Sequence, residues 1–230
     1  MALIDEIQNR LREIFSSQWG VKDGRVVPET KDLGLGNVGS KIEATVLYAD
    51  LDNSTNLVDG QTYEFSAEVY KAFLHLSTRS IRAEGGEVRS FDGDRVMGVF
   101  LGDSKNTSAA KAGLKINYLV KVILQPELEA VYPDAPKIKH TVGIDTSELL
   151  VVRAGIRGSN DLVWIGRAPN HAAKLNALSS EFATRVTAEV YGKMNKAAKF
   201  GGKPQRLMWE EVTWTSMNRK IYRSRWWWRP

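Results

Sequence analysis

Two carboxylates define the chemistry open to this chain. The stretch 45–56, TVLYADLDNSTN, is an apolar, β-leaning run that stops at Asp50. It passes through Leu51 and Asp52 into a turn-forming cluster, Asn53, Ser54, Thr55 and Asn56. Such a run predicts a buried strand that delivers an acid to one end of a sheet. The stretch 85–100, GGEVRSFDGDRVMGVF, predicts two short strands, 87–91 and 95–100, joined by a tight turn over Asp92, Gly93 and Asp94. Taken singly, both are ordinary: an acid at a strand end serves turn or cap chemistry, and Asp-Gly is a common hairpin signal. Laid side by side in one sheet, Asp50 and Asp94 could hold hard cations between them. Magnesium suits such a pair, because it takes one or two carboxylates together with substrate phosphates. Two ions so held activate an attacking oxygen and stabilise a leaving one. Residues 53–56 would add backbone N–H groups that cradle phosphates, provided a helix starts there.

A third cluster lies at 166–180, GRAPNHAAKLNALSS. Pro169 suits the first turn of a helix, and Asn170 and Lys174, four residues apart, share one of its faces. On their own they read as a capping amide and a solvated cation. His171 points elsewhere on this helix, and His75 falls within another helix as a surface or packing residue.

The elements that must position these residues follow from periodicity. Leu3, Ile4, Ile7, Leu11 and Ile14 recur at helical spacing, an amphipathic helix that packs on its own domain or pairs with a second subunit. Residues 21–40, rich in Gly, Pro and charge, predict a linker or wrapping loop. A helix over 61–83 turns Phe65, Val69, Phe73, Leu76 and Ile81 to the core, and Gly85 and Gly86 stop it. A further helix spans 106–131, with Ala109, Leu114, Leu119, Val122 and Leu128 inward. Strands are predicted at 138–145, 148–152, 162–165 and 185–188, a polar loop at 155–161, and a last edge strand at 220–227. Residues 209–215, WEEVTWT, alternate as a strand does.

Composition narrows the function classes. A chain of 230 residues, 43% hydrophobic and 26% charged, can bury one substantial core. The absence of cysteine removes disulfides, thiolate nucleophiles and cysteine-ligated zinc, and is compatible with a cytoplasmic location. No apolar run approaches the ~20 residues of a membrane span, and no signal peptide is visible. The net charge of +5 is uneven: from Lys193 onward there are ten Lys/Arg against two Glu. The tail ends in Arg225, three tryptophans, Arg229 and Pro230, which cover apolar surface or a subunit contact. No stable nucleic-acid or membrane partner is expected.

ADLDNST, GGEVRSFDGD and IGRAPNHAAKL, in that order and separation, resemble the three successive signatures of class III nucleotidyl cyclase catalytic domains. The resemblance covers roughly residues 42–188. It implies an α+β fold, a ferredoxin-like βαββαβ core resembling a polymerase palm. Residues 1–40 would be an N-terminal helix and linker, and 41–230 the catalytic domain with its basic, Trp-rich C-terminal extension. The implied reaction is one in-line displacement, in which a ribose 3′-oxygen attacks the α-phosphate of a nucleoside triphosphate and pyrophosphate leaves. By position, Asp50 and Asp94, with the Leu51 carbonyl, would bind two divalent ions, Mg²⁺ or Mn²⁺. The amides of Asn53, Ser54, Thr55 and Asn56 would hold the β- and γ-phosphates. Asn170 would orient the ribose and Lys174 stabilise the transition state. Lysine stands where the family usually has arginine, so the bidentate fork is lost. The family builds its sites from opposite subunits, which implies a homodimer with interface active sites. A cation for the triphosphate would come from Lys203, Arg206, Arg219 or Lys220.

The base-reading positions depart from both purine patterns. Ser90 stands where adenylyl cyclases carry Lys and guanylyl cyclases Glu, and Val163, followed by Trp164, stands where Asp or Thr is common. With Tyr48 and Trp164 narrowing the pocket, the chain is most similar to the pyrimidine cyclases of bacterial Pycsar anti-phage systems. That implies UTP ahead of CTP, and a separate effector that responds to the cyclic nucleotide rather than to the protein. The alternatives are an adenylyl or guanylyl cyclase, a diguanylate cyclase suggested by EGGEV at 84–88, and an inactive palm-like domain that binds RNA.

Overall fold

The computed structural model of the chain describes residues 2–230. In chain order the elements are α1 (Leu3–Ser16), β1 (Gly20–Asp23), a 3₁₀ turn (Thr30–Asp32), β2 (Val38–Leu51), α2 (Ser54–Gly60) and α3 (Tyr63–Ala83). Then come β3 (Glu87–Asp92), β4 (Arg95–Phe100), α4 (Lys105–Tyr118), a π-helical stretch (Leu119–Leu124) and α5 (Gln125–Val131). β5 (His140–Ile156), β6 (Ser159–Gly166), α6 (Arg167–Asn176), β7 (Thr184–Thr187), α7 (Ala188–Lys193) and α8 (Lys196–Lys199) follow. The chain closes with β8 (Phe200–Gly201), β9 (Arg206–Leu207), β10 (Glu210–Trp214) and β11 (Arg219–Ser224).

Two compact units form, and the larger comprises Ala44–Ser147 with Arg167–Pro230. Its strands lie in the order β10-β11-β7-β5-β2-β4-β3. Within that order β2, α3, β3, β4, α4 and β5 trace the expected ferredoxin-like βαββαβ pattern. Apolar residues alternate along β5, so Val142 and Ile144 enter the main core with Phe73, Leu114 and Val186, while Thr141, Gly143 and Asp145 face the other way. On that second side α6 contributes Leu175 to a smaller cluster with Trp214 and Ile221. The tail is tied to α4: Asn117 Nδ2 donates to the carbonyls of Arg225 (3.2 Å) and Trp226 (2.8 Å), and the Trp228 amide donates to Leu114 O (3.0 Å). Trp226 and Trp228 pack on the main core, as covers of apolar surface do.

The smaller unit comprises the residues through Glu43 together with Glu148–Gly166. β1 runs parallel to the first part of β2, and β6 pairs antiparallel with the second part of β5. None of the described residues of α1 is buried; the helix is tethered by Arg10 to Leu35 O and by Asn37 Nδ2 to Ile14 O and Ser17 O. Its apolar residues, Phe15 and Leu3 foremost, remain exposed.

Several expectations change. The two strands predicted at 138–145 and 148–152 are one strand, β5, which starts at His140. The polar residues that suggested a break stay extended because they are satisfied: Thr187 Oγ1 donates to Asp145, and Thr146 Oγ1 to Ala44 O. The loop at 155–161 contracts to a tight turn, since β6 pairs from Ser159 opposite Ile156. The linker 21–40 includes most of β1. The 106–131 helix carries a π-helical stretch, which shifts its phase so that Val120 and Leu124 are buried while Val122 is exposed. β11 is not an edge strand, because it lies between β10 and β7. Among the described residues no helix is long and apolar enough to cross a membrane.

Candidate active site

β2 and β4 pair antiparallel, with Ala49 opposite Val96. Continued by one residue, that register sets Asp50 beside Arg95, and by two residues Leu51 beside Asp94. Gly93, at φ +59°, makes the tight turn that brings Asp94 back over the strand end. The strand-end acid and the hairpin acid thus belong to neighbouring ends of paired strands, near enough for the Asp94 charge to bear on Asp50. Burial pushes the Asp50 carboxyl above its ordinary value, and the charges of Asp94 and Asp92 push the same way, against the Arg95 guanidinium. Arg95 places Nε at 3.0 Å and a terminal nitrogen at 2.7 Å from the same oxygen, Asp50 Oδ2.

This donor set suits a hard divalent cation. Asp94 Oδ2 is buried without a hydrogen-bond partner, an unmet acceptor that a cation would satisfy. Among the described residues no group of three or more His, Cys, Asp or Glu could cage a metal. Two carboxylates and the Leu51 carbonyl instead form an open set that substrate oxygens would complete.

Next to Leu51 the chain turns through Asn53, in the left-handed conformation at φ 59°, into α2. Asn53, Ser54 and Asn56 line a cleft of about 210 Å³ whose far wall is Pro136, Lys137, Ile138 and Lys139; Thr55, on the same first turn, is exposed. The Asp52 amide donates to Lys139 O at 2.9 Å and fixes this wall. Lys137 is paired with Glu129, whereas Lys139 has no ion pair among the described residues. The four cations suggested by sequence, Lys203, Arg206, Arg219 and Lys220, do not line this cleft. Arg219 is engaged by Glu189 and Lys220 by Glu211. Nothing in the alternating PKIK segment marked it as a wall of this cleft.

Tyr48, half-buried on β2, donates its hydroxyl to Met97 Sδ at 3.3 Å, and burial pushes its phenol above the ordinary value. Ser90 lies on β3, where the pairing with β4 shifts register. Both belong to the larger unit, whereas Val163 and Trp164 lie on β6 of the smaller one, Val163 exposed and Trp164 half-buried.

Asn170 and Lys174 sit on the exposed face of α6. This helix lies close on β5: a Cβ at Gly143 would come within 2.1 Å of Ala172 O. At its start Arg167 donates to Asp145 Oδ2 (3.0 Å) and to Thr146 O (2.7 Å), and pairs with Glu189 (2.7 Å). The Lys174 ammonium lies 3.9 Å from Met217 Sδ, in the β10–β11 connection. That connection is at the end of the strand order remote from the β3–β4 turn that carries Asp94.

No family model matches the chain. It is 46% identical over 232 residues to a uridylate cyclase of Xanthomonas perforans, covering 100% of this chain and 99% of that protein. A uridylate cyclase of Burkholderia cepacia is 46% identical over 230 residues (99% of each), and one of Rhodovulum sp. (strain MB263) 41% identical over 242 residues, covering 100% of this chain. Among solved structures, an adenylyl cyclase of P. aeruginosa superposes with a TM-score of 0.66 at 21% identity, over 81% of this chain and 95% of that one. A guanylyl cyclase superposes with a TM-score of 0.69 at 16% identity, over 84% and 96%.

Proposed function

The chain belongs to the uridylate cyclase family of class III nucleotidyl cyclases, and from that premise we propose that this nucleotidyl cyclase converts UTP to 3′,5′-cyclic UMP and pyrophosphate. The observation that supports the chemistry is the buried Asp94 Oδ2 without a hydrogen-bond partner, whose charge bears on Asp50 at the end of the paired strand. The choice of base is supported by 41–46% identity to uridylate cyclases over the full length, and by Ser90 and Val163, which lack the charged groups that read purines.

Asp50, Asp94 and the Leu51 carbonyl would hold two divalent ions, Mg²⁺ or Mn²⁺, which when bound supply activation of the 3′-oxygen and charge neutralisation at the triphosphate. The first-turn amides of α2 and the Lys139 ammonium receive the β- and γ-phosphates in the cleft beside Leu51. Asn170 orients the ribose. Lys174 meets the negative charge that grows on the α-phosphate, as a point charge without the fork of arginine. Positioning and charge stabilisation supply most of the rate enhancement in such displacements. As the family resemblance implies, a complete site takes Asp50 and Asp94 from one subunit and Asn170 and Lys174 from another. The active species is a homodimer. The cyclic nucleotide would then act on a separate effector, as in bacterial anti-phage signalling.

The test is product analysis. Purified protein is incubated separately with UTP, CTP, ATP and GTP plus Mg²⁺ or Mn²⁺, and cyclic products are identified by mass, with Asp50→Ala as control. Cyclic UMP that vanishes in the variant is the expected result. A cyclic purine as the main product would overturn the base assignment, and activity retained by Asp50→Ala would overturn the metal assignment.

A further inference from the structure

We infer that Arg167 is a positioning residue: its fork onto Asp145 fixes the first turn of α6 and so aims Asn170 and Lys174. The inference rests on the proposed role of those two side chains. β5 meets α6 at three alternate positions. Thr141 Oγ1 donates to Asn176 O (3.0 Å) at the helix end, Gly143 lies beneath Ala172, and Asp145 receives Arg167 at the helix start. The first two contacts set how close α6 lies. Only the third is a charged, two-pronged contact that fixes rotation as well as distance.

Asp145 is fully buried, so its carboxylate requires a counter-charge. Thr187 Oγ1 donates to Asp145 Oδ1 at 2.5 Å, and His171 Nδ1 stands 3.4 Å from Oδ2 without hydrogen-bond geometry. Burial pushes the His171 imidazole below its ordinary value, and its ring stacks edge-on against Trp214, so it does not replace the guanidinium. Arg167 reaches on to Glu189, which also receives Arg219. Burial pushes the Glu189 carboxyl up, but its own helix-start amide and the two arginines outweigh this and hold it below the ordinary value. The chain Asp145–Arg167–Glu189–Arg219 therefore joins β5, α6, α7 and β11. Arg219 follows directly on the connection whose Met217 supports Lys174. Asn170 lies about one helical turn beyond Arg167 and Lys174 about two. Both substrate-facing groups are thus referenced to one network anchored on the buried Asp145, and a shift of about 1 Å in such groups costs about 10²-fold in rate.

The experiment uses the full chain with Mn²⁺ and UTP. Arg167→Met is expected to lower kcat about 100-fold and leave KM within about threefold, with Arg167→Lys intermediate because the charge remains and the fork is lost. Mixed with Asp50→Ala, itself inactive, Arg167→Met is expected to regain activity, to roughly a quarter of wild type, since half of the dimers are mixed and each has one complete site. A merely structural arginine would not give that rescue. Should Arg167→Met not fold, Glu189→Gln carries the test: it leaves Asp145 covered, and its kcat is expected to fall with KM held. Wild-type kcat in folded Arg167→Met or Glu189→Gln, while Asn170→Ala is inactive, overturns the positioning role. Full activity of Asn170→Ala would instead overturn the reading of the α6 face, and the inference with it.

Discussion

Gly143→Ala adds one methyl group where the structure has no room for it. The new Cβ would lie 2.1 Å from the Ala172 carbonyl oxygen and 2.8 Å from Leu175 Cβ. The nearer neighbour is backbone, so rotating a side chain cannot relieve the contact. Gly143 has no left-handed φ, and alanine is compatible with its strand conformation, so the penalty is steric alone. To restore an ordinary contact, 3.4 Å or more, α6 must retreat by more than 1 Å, at an overpacking cost of about 1–3 kcal/mol. For a chain of this size that lowers Tm by roughly 3–10 °C. The same retreat carries Asn170 and Lys174 out of register and lowers kcat about 100-fold, with little change in the metal dependence that Asp50 and Asp94 set. Thermal melts and initial rates with UTP over a range of Mn²⁺ concentration read all three quantities. A wild-type Tm would refute the close seating of α6 on β5. A lowered Tm with wild-type kcat would refute the link between that seating and catalysis.

Asp50 takes a proton more readily in the folded chain than in the unfolded one. The stability it contributes is complete below the ordinary carboxylate range and is lost as pH rises through its raised folded value. Asp50→Asn is expected to flatten that loss in metal-free urea melts as pH rises above the ordinary carboxylate range, and to abolish stabilisation by Mn²⁺. Lys139→Ala is expected to raise KM for UTP about tenfold with kcat nearly intact, from the loss of one charged phosphate contact, and Lys137→Ala less, because Glu129 already engages it; initial-rate kinetics separate the two. Burial pushes His140 down to about 3, and its Nε2 has no hydrogen-bond partner. Its neutral folded form then costs stability, by up to about 1.4 kcal/mol per pH unit, as pH falls below about 6.5, and His140→Leu is expected to remove that slope in acid unfolding curves.

The legible parts of the site were those encoded locally. An apolar run ending in Asp50, an Asp-Gly-Asp turn and a Pro-led helix with Asn170 and Lys174 four apart each carry their geometry within a few residues. Their assembly by β2–β4 pairing followed from the ferredoxin-like order. The illegible parts depend on distant partners. Thr146 and Ser147 look like a break, and partners remote in sequence keep them in a strand: Thr146 Oγ1 donates to Ala44 O and its carbonyl accepts from Arg167, while Ser147 Oγ accepts from the Ala168 amide. Arg167 carries no local signal of its role, which depends on Asp145, 22 residues earlier in the chain. Lys139 gains meaning only because the Asp52 amide ties its carbonyl to the loop after β2. The inward phase of Val122 failed because a π-helical stretch adds a residue to the turn, which a fixed helical period cannot anticipate.

The placement of the acid pair and of Lys174 toward different ends of the strand order has a consequence for dosage. On the dimeric reading, an isolated chain is silent, and catalysis begins with an encounter between two chains. Where copies are scarce relative to their mutual affinity, the number of working sites grows with the square of the number of chains, so a doubling of expression raises output about fourfold. A cell could then hold such a protein at a low, harmless level and obtain a steep rise in messenger from a modest rise in synthesis. Defective copies would not be neutral either, since each would sequester a sound one.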